Sequence, residues 1–507
     1  MRRREFIHGM AASRTALRAS HGSSPENRPN FLILMSDQHN SRVMGCRGDP
    51  VAHTPNLDAL ARRGVLFENA YCPAPQCVPS RMSFLTGQQP SSIRVWHNTH
   101  TLASDIPTFA HALGASGYET ALIGRMHFEG PDQWHGFEKL LVGNLTPMCP
   151  HVPRALPREL MAGAGGNSRA GVTLAGPGKT AYQVHDEQVA EAASTYLAER
   201  ARATDRPFCA VAGFVLPHPP YICPAPEWDR FSNRVEPPQV PPGYFQMLHP
   251  AMRLWRKNRG IEDLTSEEIR RARAAYYGLV AYMDELAGRV LRALAATGLD
   301  RDTIVIYLSD HGDMAGEHGM WWKNTFYEGS AAVPMIVSWP ARFHPGRRVR
   351  EVVSLIDIAP TLLDYARGES LPHCTGASLR PLLEGSDTEW KNEAFSESPP
   401  VMGVPAMRMI RGGQWKLSRY EGYRPQLFDL ENDPHEFNDL GLSPVHAGIR
   451  GKLLSRAMDG WPAELLRAEF ATRNGNRQLL RKWAEHVRPA APQQWRPPAG
   501  SNVFPVP

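Results

Sequence analysis

Short unbroken apolar runs punctuate this chain, and most give way to polar residues at their C-terminal ends. Phe31-Leu32-Ile33-Leu34-Met35 precedes Ser36-Asp37, and Tyr118 to Ile123 precedes Gly124-Arg125. Pro207 to Val215 precedes Leu216-Pro217-His218, and Thr303 to Leu308 precedes Ser309-Asp310-His311; Met335 to Ser338 is a fifth run. Continuous runs of this length suit strands buried on both faces of a parallel sheet. Helical patterns alternate with them, over Asp105 to Gly117 and most clearly over Ser266 to Thr297. There Thr265 and Glu268 form a capping-box pattern, and Gly298 suits the left-handed position that ends a helix. Strands alternating with helices predict an α/β fold with a large, mostly parallel sheet sandwiched by helices. In such sheets ligands bind beyond the carboxyl ends of the strands, where these polar clusters sit.

After about residue 385 the pattern changes. Met409-Ile410, Trp415-Lys416-Leu417 and Leu427-Phe428-Asp429-Leu430 suggest a small antiparallel sheet. Segments 145–180 and 219–262 are rich in Pro, Gly and Arg and read as long excursions over the ligand-binding face. The residues from Arg488 onward hold many prolines and read as an extended strap or a disordered tail. The expected organisation is a tail over 1–28, a catalytic domain over 29–385, a C-terminal subdomain over 386–487 and a Pro-rich extended tail over 488–507.

Composition narrows the functional classes. The 507 residues are 42% hydrophobic and 21% charged, with a formal net charge of +5. That excess is slight, and the body of the chain has no lysine-rich or arginine-rich block, so nucleic acid is not implied. Cys46, Cys72, Cys77, Cys149, Cys209, Cys223 and Cys374 are scattered and odd in number, without a CxxC pair. They make neither a disulfide framework nor a zinc site. No run of about 18 apolar residues exists, so no membrane span is expected. The opening Met1-Arg2-Arg3-Arg4-Glu5-Phe6-Ile7 resembles a twin-arginine export signal, but His8, Arg14, Arg18 and His21 interrupt the apolar stretch such a signal needs. A cytoplasmic location is the first expectation, with export to the periplasm or beyond as the alternative.

Two constellations carry the chemistry. Cys77-Val78-Pro79-Ser80-Arg81, followed by Leu85-Thr86-Gly87, reads on spacing alone as a helix N-terminus with Pro79 in its first turn. A cysteine there, close to Arg81, would have a lowered pKa. Ser36-Asp37-Gln38-His39 and Ser309-Asp310-His311-Gly312-Asp313 each follow a strand. Taken singly, either is equally a helix cap or a solvated loop. Together, if their strands lie close in the sheet, carboxylates with an amide oxygen suit a hard divalent cation.

The C-x-P-S-R…L-T-G stretch resembles the maturation motif of the sulfatases, in the alkaline-phosphatase-like superfamily. The resemblance extends over about residues 29–440 and includes Ser354 to Leu362 and Leu427 to Pro434. It implies an alkaline-phosphatase-like fold with a smaller C-terminal antiparallel sheet, and hydrolysis of a sulfate ester. It also implies that a maturation enzyme oxidises Cys77 to formylglycine (3-oxoalanine). One hydroxyl of the hydrated aldehyde would attack sulfur, and the other would lose a proton to expel sulfate. Asp37, Gln38, Asp310 and His311 would bind the metal. Gln38 and His311 are similar to the choline-sulfatase and phosphonate-monoester-hydrolase branch; Ca²⁺ is the first choice, and an imidazole ligand makes Mn²⁺ plausible. Cys77, Arg81, His127, His218 and Lys323 form the implied catalytic set, with His127 on the gem-diol and His218 and Lys323 on the leaving oxygen. Arg125, in Gly124-Arg125-Met126-His127, stands where the family carries Lys, and with Asn98 it would hold the sulfate. A sulfated small molecule or saccharide is the expected substrate, and homo-oligomerisation is left open. Phosphonate monoester or phosphodiester hydrolysis by the same site is the alternative; that branch tends to carry hydroxyl side chains where this chain has Arg125 and His127. A non-enzymatic reading would need a lost nucleophile or ligand, and none is missing.

Overall fold

A computed structural model describes residues 28–145, 166–203, 206–386, 389–488 and 495–503. The expectations for residues 1–27 and for most of the 145–180 excursion lie outside the described residues.

The main sheet has eight strands: β1 (Asn30–Asp37), β2 (Val65–Tyr71), β3 (Glu119–Gly124), β4 (Lys139–Leu141), β5 (Phe208–Pro217), β6 (Thr303–Ser309), β7 (Met335–Ser338) and β8 (Arg347–Ser354). Their order is β8-β2-β7-β6-β1-β5-β3-β4. Every neighbouring pair is parallel except those of β7, which runs antiparallel to both β2 and β6. β1 shows why its run is unbroken. Leu32 and Leu34 point into one apolar cluster, while Phe31, Ile33 and Met35 point into the other. The two-residue period of a strand feeds both layers at once.

One layer is built on α1 (Pro55–Arg62), the helix Ala181–Arg200 and the helix Ser266–Thr297. The other holds α2 (Cys77–Thr86), α3 (Phe109–Ala115) and the helix Ile358–Ala366. The longer helices after α3 are α4 (Ala181–Arg200), α5 (Pro250–Arg259), α6 (Ser266–Thr297), α7 (Ile358–Ala366), α8 (Ala447–Met458) and α9 (Ala463–Val487). In α6 the Thr265–Glu268 capping box forms, and Gly298 takes the left-handed conformation at the end. α3 begins at Phe109 rather than near Asp105, because Thr108 and His111 form the capping box. The 219–262 segment is more ordered than its composition suggests: α5 buries Ala251, Met252 and Trp255.

The second sheet, β9 (Glu393–Ser398), β10 (Met407–Gly412), β11 (Trp415–Tyr420) and β12 (Gln426–Asp429), is an antiparallel meander, as the alternation predicts. Among the described residues no helix is long and apolar enough to cross a membrane.

Burial also sets an acid limit. His39 Nδ1 lies 2.6 Å from Tyr307 Oη, and Nε2 lies 3.1 Å from the Val43 carbonyl. Burial pulls His39 and His249 down to about 4 and holds His318 well below the usual range. The unfolded chain binds these protons near the ordinary histidine value while the native state refuses them. Stability is therefore lost as pH falls from about 6.5 to about 4, by up to about 1.4 kcal/mol per pH unit per ring. Urea midpoints should fall between about pH 7 and about pH 5; a midpoint that rises over that range would contradict the burial argument.

Candidate active site

β1 and β6 are adjacent and parallel, with Ser36 opposite Ser309. The next residue on each strand is therefore a carboxylate, and Asp37 and Asp310 emerge side by side, both fully buried. The Gln38 N–H donates to Asp310 Oδ1 at 3.1 Å and ties the two strand ends together.

α2 brings the second component. Cys77 is its first residue and Arg81 lies one turn on, so both project from one face. Arg81 is fully buried between the carboxylates: Nη2 lies 3.0 Å from Asp37 Oδ2, and Nε lies 2.7 Å from Asp310 Oδ2. Its Nη1 donates to the Arg125 carbonyl at 3.0 Å. That carbonyl sits so close to Gly213 that a Cβ there would lie 1.9 Å from it, which only glycine avoids. Arg125 in turn places Nε 2.9 Å from Asp37 Oδ2.

The segment between β6 and β7 supplies the rest. Because β7 runs antiparallel to β6, the chain re-enters the sheet from the edge it has just left. Asp310, His311 and Lys323 thus stay on one rim. Lys323 Nζ lies 2.8 Å from Cys77 Sγ and 3.3 Å from His311 Nε2. Trp322 (φ 64°) and Asn324 (φ 67°) flank it in left-handed conformations, and Gln38 (φ 70°) and His127 (φ 64°) share that geometry. Such conformations cost free energy and persist where surrounding contacts dictate them.

The electrostatics follow from these contacts. Burial would push the Asp37 carboxyl up, but Arg125, Arg81, His218 and Lys323 outweigh it and hold it well below the usual range. Burial and Asp37 oppose ionisation of the Cys77 thiol; Lys323 and His311 prevail and lower it. Burial, helped by Lys323, keeps His218 well below the ordinary histidine value.

The donor set fits a divalent ion. One ligand atom from each of Asp37, Cys77, Asp310 and His311 lies within 4.8 Å of the others. His311 Nδ1 lies 3.0 Å from the Gly312 carbonyl, which requires a proton there, so that loss of the Nε2 proton would turn a lone pair towards the cluster for an ion. Gln38 points Nε2 at Asp313 Oδ2, 2.6 Å away, and keeps Oε1 buried without a hydrogen-bond partner among the described residues. That oxygen is available to an ion.

The other expected residues stand around this cluster. His218 is half-buried, with Nδ1 2.6 Å from the Pro219 carbonyl. Asn98 accepts from the Val78 N–H at 2.9 Å, so it caps the helix that carries Cys77 and can offer its amide hydrogens to an anion. His127 stands behind Arg125, with Nδ1 2.6 Å from Arg125 Nη2 and Nε2 3.6 Å from Glu129 Oε1. These contacts brace Arg125. Asp313, part of the second carboxylate cluster but without a role assigned from sequence, also belongs to the site. It is fully buried and accepts from Gln38, Tyr221 Oη and the N–H groups of Ala315 and Trp322, thereby shaping the approach to Lys323. Its place in the Asp310-His311-Gly312-Asp313 cluster was visible, but not that it turns towards Gln38.

The eight-stranded, mostly parallel sheet with its rim of buried charge is that of the alkaline-phosphatase-like class of hydrolytic enzymes. A family model described as "Sulfatase" matches residues 29–368, and one described as "N-sulphoglucosamine sulphohydrolase, C-terminal" matches residues 316–460. The chain belongs to the sulfatase family and is a sulfuric ester hydrolase. It is 37% identical to a choline-sulfatase of Rhizobium meliloti over 82% of this chain and 83% of that one. It is 30% identical to an arylsulfatase of Clostridium perfringens over 82% and 90%. The phosphonate monoester hydrolase of Agrobacterium radiobacter superposes with a TM-score of 0.71, at 26% identity, over 87% of this chain and 96% of that one. The family generally uses formylglycine and a divalent metal.

Arg81→Ala should leave two buried carboxylates facing each other. In chelator, its urea-unfolding stability should fall by about 3–5 kcal/mol, and less when a divalent ion is present. A loss below about 0.5 kcal/mol in chelator would show that the pair is compensated elsewhere.

Proposed function

We propose that the chain hydrolyses a sulfate monoester at a formylglycine derived from Cys77, beside a divalent ion held by Asp37, Asp310 and His311, with Gln38 as a further oxygen donor. The single observation that carries the assignment is the juxtaposition of Lys323 Nζ, 2.8 Å from Cys77 Sγ, with the carboxylate and imidazole cluster around the same sulfur. Sγ stands in for an oxygen of the hydrated aldehyde that maturation would install. That aldehyde would supply one hydroxyl as nucleophile and a second whose ionisation frees the product. The ion would supply Lewis acidity at the sulfuryl group.

The remaining work falls to side chains. Arg81 holds both carboxylates in place and offsets one of their charges. Arg125 spends Nε on Asp37 and Nη2 on His127, which leaves Nη1 for a sulfuryl oxygen. His127 keeps that guanidinium oriented, and Asn98 offers its amide to the same anion. Lys323 neutralises charge at the nucleophile and the bridging oxygen. His218 keeps its Nδ1 proton on the Pro219 carbonyl, so Nε2 is the atom that would exchange a proton with the leaving oxygen. Burial and Lys323 keep the ring neutral before substrate binds. To serve as donor, His218 would first take up a proton from solvent at Nε2 as the sulfate anion binds, and that proton would pass to the leaving oxygen as negative charge builds there.

The His311 nitrogen in the donor set weighs towards Mn²⁺, whereas the carboxylates alone would suit Ca²⁺. The same nitrogen, with the likeness to the Agrobacterium radiobacter fold, supports phosphonate monoester hydrolysis as a second reading. Arg125 and His127, standing where that branch tends to carry hydroxyl side chains, keep sulfate first. The substrate class is a sulfate monoester of a small alcohol, a phenol or a saccharide.

Cys77→Ala and Asp310→Ala, co-produced with a formylglycine-generating enzyme, should lose at least about a thousandfold in kcat while staying folded. Peptide mass analysis of the wild type should find aldehyde at position 77. A retained thiol, or near-wild-type turnover by either variant, would remove the assignment. Apo-enzyme reloaded with Mn²⁺ should recover more activity than with Ca²⁺, and the reverse order would return the choice to calcium. Parallel assays should give a higher kcat/KM on an aryl sulfate than on a phenyl phosphonate; the opposite order selects the second reading.

A further inference from the structure

A buried carboxylate outside the ion cluster fastens the strand end that delivers His218. We propose that Asp186 is a positioning residue for His218, held in place by Trp495 of the C-terminal strap. This rests on the leaving-group role given to His218 above.

The sheet leaves part of this strand end unladdered. The ladder between β3 and β5 stops at Gly124 opposite Gly213, and the ladder between β1 and β5 shifts register after Met35 opposite Gly213 and skips Phe214 to Leu216 before Asp37 pairs with Pro217. Asp186, fully buried in α4, takes over. Both its oxygens accept from the Val215 N–H at 2.9 Å, and Oδ2 accepts from the Leu216 N–H at 2.8 Å. Those residues lead directly into Pro217-His218, and the His218 N–H donates to the Val215 carbonyl at 3.0 Å. A carboxylate bound to two successive N–H groups sets the planes of both peptides.

Asp186 Oδ1 also accepts from His185 Nδ1 at 2.8 Å. The His185 ring lies against Gly124, where a Cβ would sit 3.4 Å from Cε1, so the pair also backs the residue before Arg125. Trp495 covers His185 edge-on, with ring centroids 5.2 Å apart. Its indole N–H donates to Gln188 Oε1 at 2.8 Å and its backbone N–H to the Asn144 carbonyl at 2.8 Å. The strap then runs on to pair Val503 with Lys179, and Asn502 Oδ1 accepts from the N–H of Ala181 at the start of α4. A segment remote in sequence thus presses on the helix turn that holds the proton-donor loop.

The test uses matured, metal-loaded full-length enzyme and a series of sulfate esters running from acidic phenols to an alkyl alcohol. Asp186→Asn places an amide where two N–H groups need an acceptor. Its kcat loss should grow from about threefold on the best leaving group to about thirtyfold or more on the poorest, with KM within about twofold. Asp186→Glu should recover part of this. Trp495→Ala should show the same trend at smaller size, and it carries the test if Asp186→Asn does not fold. The double variant Asp186→Asn/His218→Ala should be within about twofold of His218→Ala alone. Losses equal across all leaving groups, or losses that multiply in the double variant, overturn the proposal; wild-type rates in Trp495→Ala remove the strap from it. If the His218→Ala loss is itself independent of the leaving group, the proton-donor reading of His218 fails. The double variant still decides whether Asp186 acts through that residue.

Discussion

Two carboxylates on neighbouring strand ends, buried with a guanidinium between them, are the constraint on which the rest of the site depends. In a low-dielectric interior Asp37 and Asp310 would repel each other strongly, and neither could stay ionised beside the other unaided. Arg81 offsets one of the two charges from below, leaving the outward-facing oxygens to whatever cation arrives from above. Arg125 and Lys323 bring the local count to three fixed positive charges against two negative ones. A pocket with that balance attracts an anion even before a metal adds to it, and the surplus grows more valuable as charge spreads over the sulfuryl oxygens.

Geometry converts this charge pattern into selectivity for position. Cys77 and Arg81 are one helical turn apart on a fully buried helix, so the nucleophile cannot move without disturbing the ion pairs. Gln38, His127, Trp322 and Asn324 all hold conformations that side-chain-bearing residues avoid. Each stands at, or directly beside, a group aimed at the centre. Local backbone cost concentrated around the chemistry is what a preorganised site requires, because packing elsewhere must over-determine it.

Much of this was legible in the sequence. Apolar runs ending in polar clusters gave the sheet and the edge that matters, and the adjacency of β1 and β6 could be inferred from the need to bring Asp37 and Asp310 together. The capping box at Thr265 fixed α6 to the residue. What escaped notice obeys different physics. The edge strand β8 and its neighbour β2 carry polar residues such as Glu68, Asn69, Arg348 and Arg350, so no unbroken run announced them. α9 buries little beyond Leu466 and Ala484, so its pattern of apolar positions was faint. Asp186 and Trp495 act on the site through backbone and ring contacts across more than three hundred residues of chain, and no local motif encodes such a pairing. Gln38 and Asp313 were in view as residue types, but which oxygen faces an ion and which faces an N–H is decided only by three-dimensional neighbours.

The reversed direction of β7 has a further bearing on how such an enzyme can diversify. The stretch from Ser309 to Met335 leaves and re-enters the scaffold at the same rim, like a handle with both feet on one edge. Changes in its length would alter the mouth of the pocket without requiring any strand to be rethreaded or any helix to be moved. The ion-holding foot at Asp310 and the returning foot at Met335 stay pinned by their ladders. Where such changes spare His311, Asp313 and Lys323, the scaffold can vary what enters while leaving untouched what happens to it.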